Sequence, residues 1–195
     1  MSETQTNNTP ATRDFGGITI PAPGTFAVDA SHSTVQFVAR HMMVSKVRGS
    51  FGSYSGTITV ADDPLQSSVQ ISIDPSTVDT GDEGRDGHLT SPDFFDVVSH
   101  PEITFVSTAV RQDDGATFAV DGDLTVHGVT KSITLEVDFE GVGQDPWGGE
   151  RIGFSTEIEL DRDAFGLTWN QALETGGVLV GKKIRIDIDI EAVRQ

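Results

Sequence analysis

Histidine has the widest chemical repertoire of the residues in this chain, and there are five: His32, His41, His88, His100 and His127. Neutral imidazole ligates zinc and relays protons, but both jobs need partners at defined spacing. No His-x-His, no HExxH and no compact carboxylate cluster accompanies any of them, so no metal ligand is expected. His100 precedes Pro101, a step that favours extended backbone, and His127 ends a run of strand pattern. Asp29, Ser31 and His32 hold the residue types of an acyl-transfer triad. Adjacency along the chain does not make triad geometry, however, and no nucleophile elbow is present. Asp86 with His88 would serve as an acid-base pair, but Arg85 and Asp86 read rather as polar groups that hold an insertion in place by pairing with others. Cysteine is absent, which removes disulfides, thiolate metal sites and a thiol nucleophile together. No catalytic residue is expected.

The elements that must position these groups are strands. Val35, Phe37 and Ala39 alternate with Thr34, Gln36 and Arg40; Val69, Ile71 and Ile73 form another such face, and Ile103 and Phe105 begin a third. Phe118, Val120, Gly122, Leu124 and Val126 oppose Ala119, Asp121, Asp123 and Thr125, and Ile133, Leu135, Val137 and Phe139 oppose Thr134, Glu136, Asp138 and Glu140. Ile152 to Leu160 and Ile184 to Ile190 repeat the pattern, with acids on one face and apolar residues on the other. Period two with one buried face is the strand signature. About eight such strands, with no helical layer to cover a second face, predict a closed antiparallel barrel. Gly49, Gly52 and Gly56 match neither phosphate-loop spacing and read as places where strands coil to close that barrel.

One stretch breaks the alternation. From Arg85 to Phe105, RDGHLTSPDFFDVVSHPEITF, a short helical insertion is expected around residues 84–98, with Ser91 a candidate cap and Pro92 suited to a first helical position. Phe94, Phe95, Val97 and Val98 give it an apolar side that a barrel mouth would bury. A second irregular piece, Arg162 to Trp169, carries Phe165, Leu167 and Trp169, as a plug or as ligand lining. Residues 1–23 lack periodicity and read as a flexible arm, with Phe15, Ile18 and Ile20 able to pin its end; residues 24–195 form the barrel domain.

Inside an eight-stranded barrel, side chains either fill the space or leave room for one ligand. Ala39, Ser107, Gly122 and Thr156 interrupt the large residues and leave room beside Phe37, Phe105, Phe118 and Phe154. A slot of that shape suits a hydrocarbon tail: at about 0.8 kcal/mol per buried methylene, ten carbons bring roughly 8 kcal/mol before the costs of association. A formal charge of -17 repels phosphate backbones and anionic bilayers at long range, so no nucleic-acid partner is expected. The start, MSETQTNNTPATRDFGG, has neither a basic segment nor an apolar run, and nothing approaches a membrane span, which points to the cytoplasm without integral membrane association.

Several stretches, in order, carry a family resemblance: Val28-Asp29-Ala30-Ser31-His32-Ser33, Val47-Arg48-Gly49-Ser50-Phe51, Arg85-Asp86-Gly87-His88-Leu89, Asp93-Phe94-Phe95-Asp96, His100-Pro101-Glu102-Ile103-Thr104-Phe105, Gly122 through Lys131, and Asp163-Ala164-Phe165-Gly166-Leu167. Over about Thr25 to Val193 the chain resembles the YceI-like family of lipocalin-like lipid-binding proteins. The resemblance implies an antiparallel barrel with a helical insertion that binds polyisoprenoids, such as prenyl quinones or prenyl pyrophosphates, or other long amphiphiles. It also implies that homodimers occur, and it supplies no catalytic residue. Many relatives are exported to the periplasm, and this sequence departs from them in showing no signal peptide. The expected function is non-enzymatic carriage or sequestration of an isoprenoid or fatty-acid-like lipid, with no cofactor. Phe37, Phe105, Phe118 and Phe154 are the expected wall, Phe51, Phe94, Phe95, Phe165 and Trp169 the rim or cap, and His41, Arg48, Arg85 and His88 the head-group contacts, Arg being suited to pyrophosphate. Two rivals remain: an enzyme acting on a lipid-like molecule through a His and carboxylate at the cavity's inner end, and an interaction module with a solid core.

Overall fold

The computed structural model describes residues 10–174 and 177–195. Thirteen strands and one α-helix, besides three short 3-10 turns at Pro64–Gln66, Pro75–Thr77 and Arg162–Phe165, follow in order: β1 (Thr12–Phe15), β2 (Ile18–Pro21), β3 (Gly24–Val28), β4 (Thr34–His41), β5 (Ser45–Phe51), β6 (Tyr54–Val60), β7 (Ser68–Ile73), β8 (Val78–Asp79), α1 (Glu83–Thr90), β9 (Ile103–Asp114), β10 (Thr117–Val126), β11 (Val129–Gln144), β12 (Glu150–Asp161) and β13 (Val180–Arg194). Eight of them close an antiparallel barrel in the order β3-β6-β7-β9-β10-β11-β12-β13, with β13 returning to β3 through Ala192, Val193 and Arg194. Closure leaves the eight-strand ring without an open edge.

Two staves of the barrel are broken, and the sequence explains where. Between β3 and β4 the Asp29 carboxylate accepts the Ser31 amide at 3.0 Å and the Asp29 carbonyl accepts the His32 amide at 3.1 Å, an Asx turn that steps the strand sideways. Below the break the stave pairs with β6, above it with β5. The second break, at Gly52 and Ser53, separates β5 from β6, and Thr77 Oγ1 accepts both freed amides at 3.1 and 3.0 Å. At Gly56 a β-carbon would stand 2.3 Å from Ile71 Cδ1 and 2.8 Å from the Gln70 carbonyl oxygen, so only glycine lets β6 and β7 approach this closely.

Both barrel ends are covered. At one end β1 and β2 form a hairpin whose Ile20 is buried, with Phe15 and Ile18 packed beside Phe26, Phe139 and Ile152. The Arg13 guanidinium ties this hairpin to the Ala61 and Asp62 carbonyls. The expected arm is thus a hairpin over residues 12–21, because three apolar side chains have a core to enter. The part of the expectation that falls on residues 1–9 lies outside the described residues. At the other end stand α1 and the turns after it, packed on Val35, Phe51, Ile103, Phe165 and Leu167.

The helix lies earlier in the insertion than the Ser-Pro step suggests. Asp82 caps it by accepting the Arg85 amide at 2.9 Å, and Ser91 ends it, donating its amide to the His88 carbonyl. Gly84 and Gly87 sit inside it, against intrinsic propensity. Side-chain bonds from residues 85 and 86 to Thr80 offset that weakness: Arg85 donates to Thr80 Oγ1 at 2.6 Å and to its carbonyl at 2.9 Å, and Asp86 accepts the Thr80 amide at 3.0 Å. Arg85 and Asp86 therefore fasten the insertion to the strand before it.

Candidate ligand-binding cavity

The inward residues of the barrel do not meet in the middle. Ile71, Phe118, Leu124, Ile133, Leu135, Val137, Ile158, Ile186 and Ile188 are apolar and face inward, yet each is only half-buried. A packed core would bury such side chains almost completely. What exposes them is a hollow of about 370 Å³ running from Ile20 and Pro21 under the hairpin to Leu89, Phe94 and Phe95 under the insertion, with an almost wholly apolar wall. The volume falls within the usual range for small-ligand sites, roughly 300–1,000 Å³.

The four expected wall residues, Phe37, Phe105, Phe118 and Phe154, border this hollow, as do Phe51, Phe94, Phe95 and Phe165 of the expected rim. Trp169 stands behind them, its ring against His88 at 4.5 Å and Phe94 at 5.3 Å between centroids. Two of the gaps foreseen from small residues are otherwise used. A β-carbon on Gly122 would lie 2.3 Å from Phe105 Cζ, so the Phe105 ring occupies that space, and Ser107 Oγ accepts the Val69 amide at 2.9 Å. Ala39 and Thr156 do face the hollow.

The expected head-group contacts lie elsewhere: none of His41, Arg48, Arg85 and His88 borders the cavity. Arg48 pairs with Val38 across β4 and β5, one step out of phase with the inward Phe37, Gly49 and Phe51, and is exposed. His41 ends β4 beside the Met42-Met43 turn. Arg85 is committed to Thr80, and His88 Nε2 meets Asp93 Oδ2 at 3.0 Å on the outer side of the insertion. One residue unforeseen by sequence reasoning does border the cavity: Arg162. Its side chain is 5% exposed. Nε donates to the Gly181 carbonyl at 3.1 Å and Nη1 to the Leu167 carbonyl, while Nη2 is buried without a partner. Burial pulls its guanidinium below the usual arginine range, against the pull of Asp163 and Asp161. The only hint in the sequence was a cation between two acids in an irregular, aromatic-rich segment.

The triad-like group is assembled but wrongly wired. Ser31 Oγ donates its hydrogen to Asp29 Oδ1 at 2.6 Å, and the same His32 nitrogen, Nδ1, faces both Ser31 Oγ at 3.0 Å and Asp29 Oδ2 at 2.9 Å. A triad needs the two ring nitrogens to serve different partners and the hydroxyl to face the imidazole acceptor. Asp29 instead anchors Arg151, at 2.7 Å, which also holds Glu191 and Asp145. Hydrogen bonds from Ser31, Arg151 and His32 keep the Asp29 carboxyl well below its usual range. This network knits the broken stave to β12 and β13, and none of its members borders the cavity.

The family model for the YceI-like domain matches residues 26–192. UPF0312 proteins of Staphylococcus epidermidis and of Staphylococcus aureus are each 37% identical over 168 residues, covering 85% of this chain and 95% of theirs. Among solved structures, BcnA of Burkholderia cenocepacia superposes with a TM-score of 0.74 at 25% identity, over 84% of this chain and 98% of that one. A polyisoprenoid binding domain from Saccharophagus degradans superposes with a TM-score of 0.69 at 16% identity, over 87% and 98% of the two chains.

Proposed function

The chain belongs to the YceI-like family, and from that membership and the hollow barrel we propose that it carries or sequesters a long-chain amphiphile, without catalysing a reaction. The observation that carries the reading is the apolar cavity itself. Water gains little in a space so poor in polar partners, whereas each buried methylene contributes about 0.8 kcal/mol. At about 30 Å³ per heavy atom, as in a dense liquid, the hollow holds roughly a dozen atoms, a segment near the ten carbons of a two-unit isoprenoid. Longer polyisoprenoids bind by one segment and need the cover of Leu89, Phe94 and Phe95 to yield. The solved polyisoprenoid binding domain of the same fold supports an isoprenoid as the ligand class. Arg162 supplies an unpartnered Nη2, with two N–H groups, at the insertion end, which suits a ligand oxygen placed there. No catalytic pair stands on the cavity wall among the described residues.

Native mass spectrometry of protein from its own cells, followed by organic extraction, tests this. The expected result is a lipid adduct that extraction releases. Protein that arrives empty and ignores added prenyl quinone and prenyl pyrophosphate overturns it. Among the described residues no helix is long and apolar enough to cross a membrane. Cytoplasmic location and homodimerisation belong to the same proposal, to be checked by cell fractionation and sedimentation.

A further inference from the structure

Three side chains that the cavity does not use come together at the insertion end. Asp96 and His100 lie in the connection between α1 and β9, and His127 lies in the turn between β10 and β11. Each offers one ligand atom, and the three atoms lie within 4.8 Å of one another. The two imidazoles meet edge to face, with centroids 4.7 Å apart and planes at 73°. All three residues are half-buried, and none of the side chains has a hydrogen bond or ion pair among the described residues.

An ion held by all three donors fits within that limit of 4.8 Å. Zinc bonds of about 2.0–2.2 Å place tetrahedral donors roughly 3.4 Å apart, beyond ordinary hydrogen-bond length. The surrounding backbone makes room for the rings. A β-carbon on Gly128 would stand 2.6 Å from His100 Cε1 and one on Gly166 3.4 Å from His127 Nδ1, and both glycines have positive φ, +71° and +78°. Asp96 and His127 themselves sit in left-handed backbone, at φ of 45° and 51°, a region that most side-chain residues avoid.

We propose that Asp96, His100 and His127 bind one first-row divalent cation, zinc by preference, in a site with an open coordination position for water. Two imidazoles and one carboxylate suit zinc, cobalt or nickel; calcium and magnesium prefer all-oxygen sets. The second grouping of this kind, Asp29, His32 and Glu191, is already neutralised by Arg151 and is no rival. Because Asp96 and His100 belong to the connection that carries Phe94 and Phe95, the ion clips the cover of the cavity to the β10–β11 turn. The inference is independent of which ligand fills the barrel.

Protein stripped with chelator and desalted is titrated with zinc chloride by calorimetry, and with cobalt chloride by visible absorption. One equivalent per chain is expected, with the intense bands of low-coordinate cobalt. Asp96→Asn and His100→Ala each weaken binding at least about tenfold, His32→Ala leaves it unchanged, and zinc raises the melting temperature of the unsubstituted protein and of His32→Ala by the same amount but that of the two site variants less, as a ligand of the native state does. Circular dichroism verifies the fold of each variant; should His100→Ala fail to fold, Asp96→Asn decides. Absence of stoichiometric binding, retention of full affinity in Asp96→Asn, or loss of it in His32→Ala overturns the proposal.

Discussion

Filling the hollow from its wall separates a carrier from a solid barrel. Ala39, on β4, faces the cavity, and Ala39→Phe places about six further carbons there, roughly 180 Å³ at the same 30 Å³ per atom. That is about half of the 370 Å³ available. A ligand segment of about twelve atoms shrinks to about six, a loss near 5 kcal/mol at 0.8 kcal/mol per methylene, or three to four decades in Kd. Folding should not suffer, because the new ring enters empty space beside Phe37 and gains burial. The assay pairs displacement of a fluorescent polyene fatty acid with urea unfolding of the same preparation. The expected outcome is binding lost and stability kept or raised. If the variant is instead destabilised by the 1–3 kcal/mol typical of overpacking, the interior is already full; if binding is unchanged, the ligand sits elsewhere. Either result refutes the reasoning.

Three more outcomes follow from particular contacts. Gly122→Ala sets a β-carbon 2.3 Å from Phe105 Cζ and 2.7 Å from the Val106 carbonyl oxygen; it should cost about 1–3 kcal/mol in urea unfolding, and adding Phe105→Leu should restore only part, since the carbonyl stays. Phe26 is fully buried, with the Arg194 guanidinium 4.5 Å above its ring, so Phe26→Ala should lower stability by about 3–5 kcal/mol. Asp29 titrates below its ordinary 3.8 in the folded chain, chiefly through the Ser31 and Arg151 hydrogen bonds. Near and below that pH the unfolded chain binds more protons, so this stabilisation is complete above pH 3.8 and is lost as the pH falls through the folded value. Asp29→Asn should therefore flatten the slope of stability against pH below about pH 4, and a slope identical to that of the unsubstituted protein would count against the network.

Local periodicity determined a good deal of this molecule. Ile133, Leu135, Val137 and Phe139 alternating with Thr134, Glu136, Asp138 and Glu140 require a strand with a wet and a dry face, and repetition of that pattern without a helical layer requires closure. That Phe37, Phe105, Phe118 and Phe154 face the hollow was legible for the same reason, because inward placement follows from parity along a strand. The short helix falls in the expected insertion, but its start at Glu83 rather than at the Ser-Pro step was not legible, because Gly84 and Gly87 lower its propensity while Asp82, its cap, is one of many acids. Tertiary structure alone decided the rest. Arg162 is buried only because β13 and the Leu167 turn close over it, and Asp96, His100 and His127 meet only because the insertion folds back on the β10–β11 turn. The hollow depends on tertiary structure most of all: it is the difference between the volume that strand number and stagger enclose and the volume that inward side chains fill. Alternation reports which way a side chain points, and carries no information on how far away the opposite wall stands.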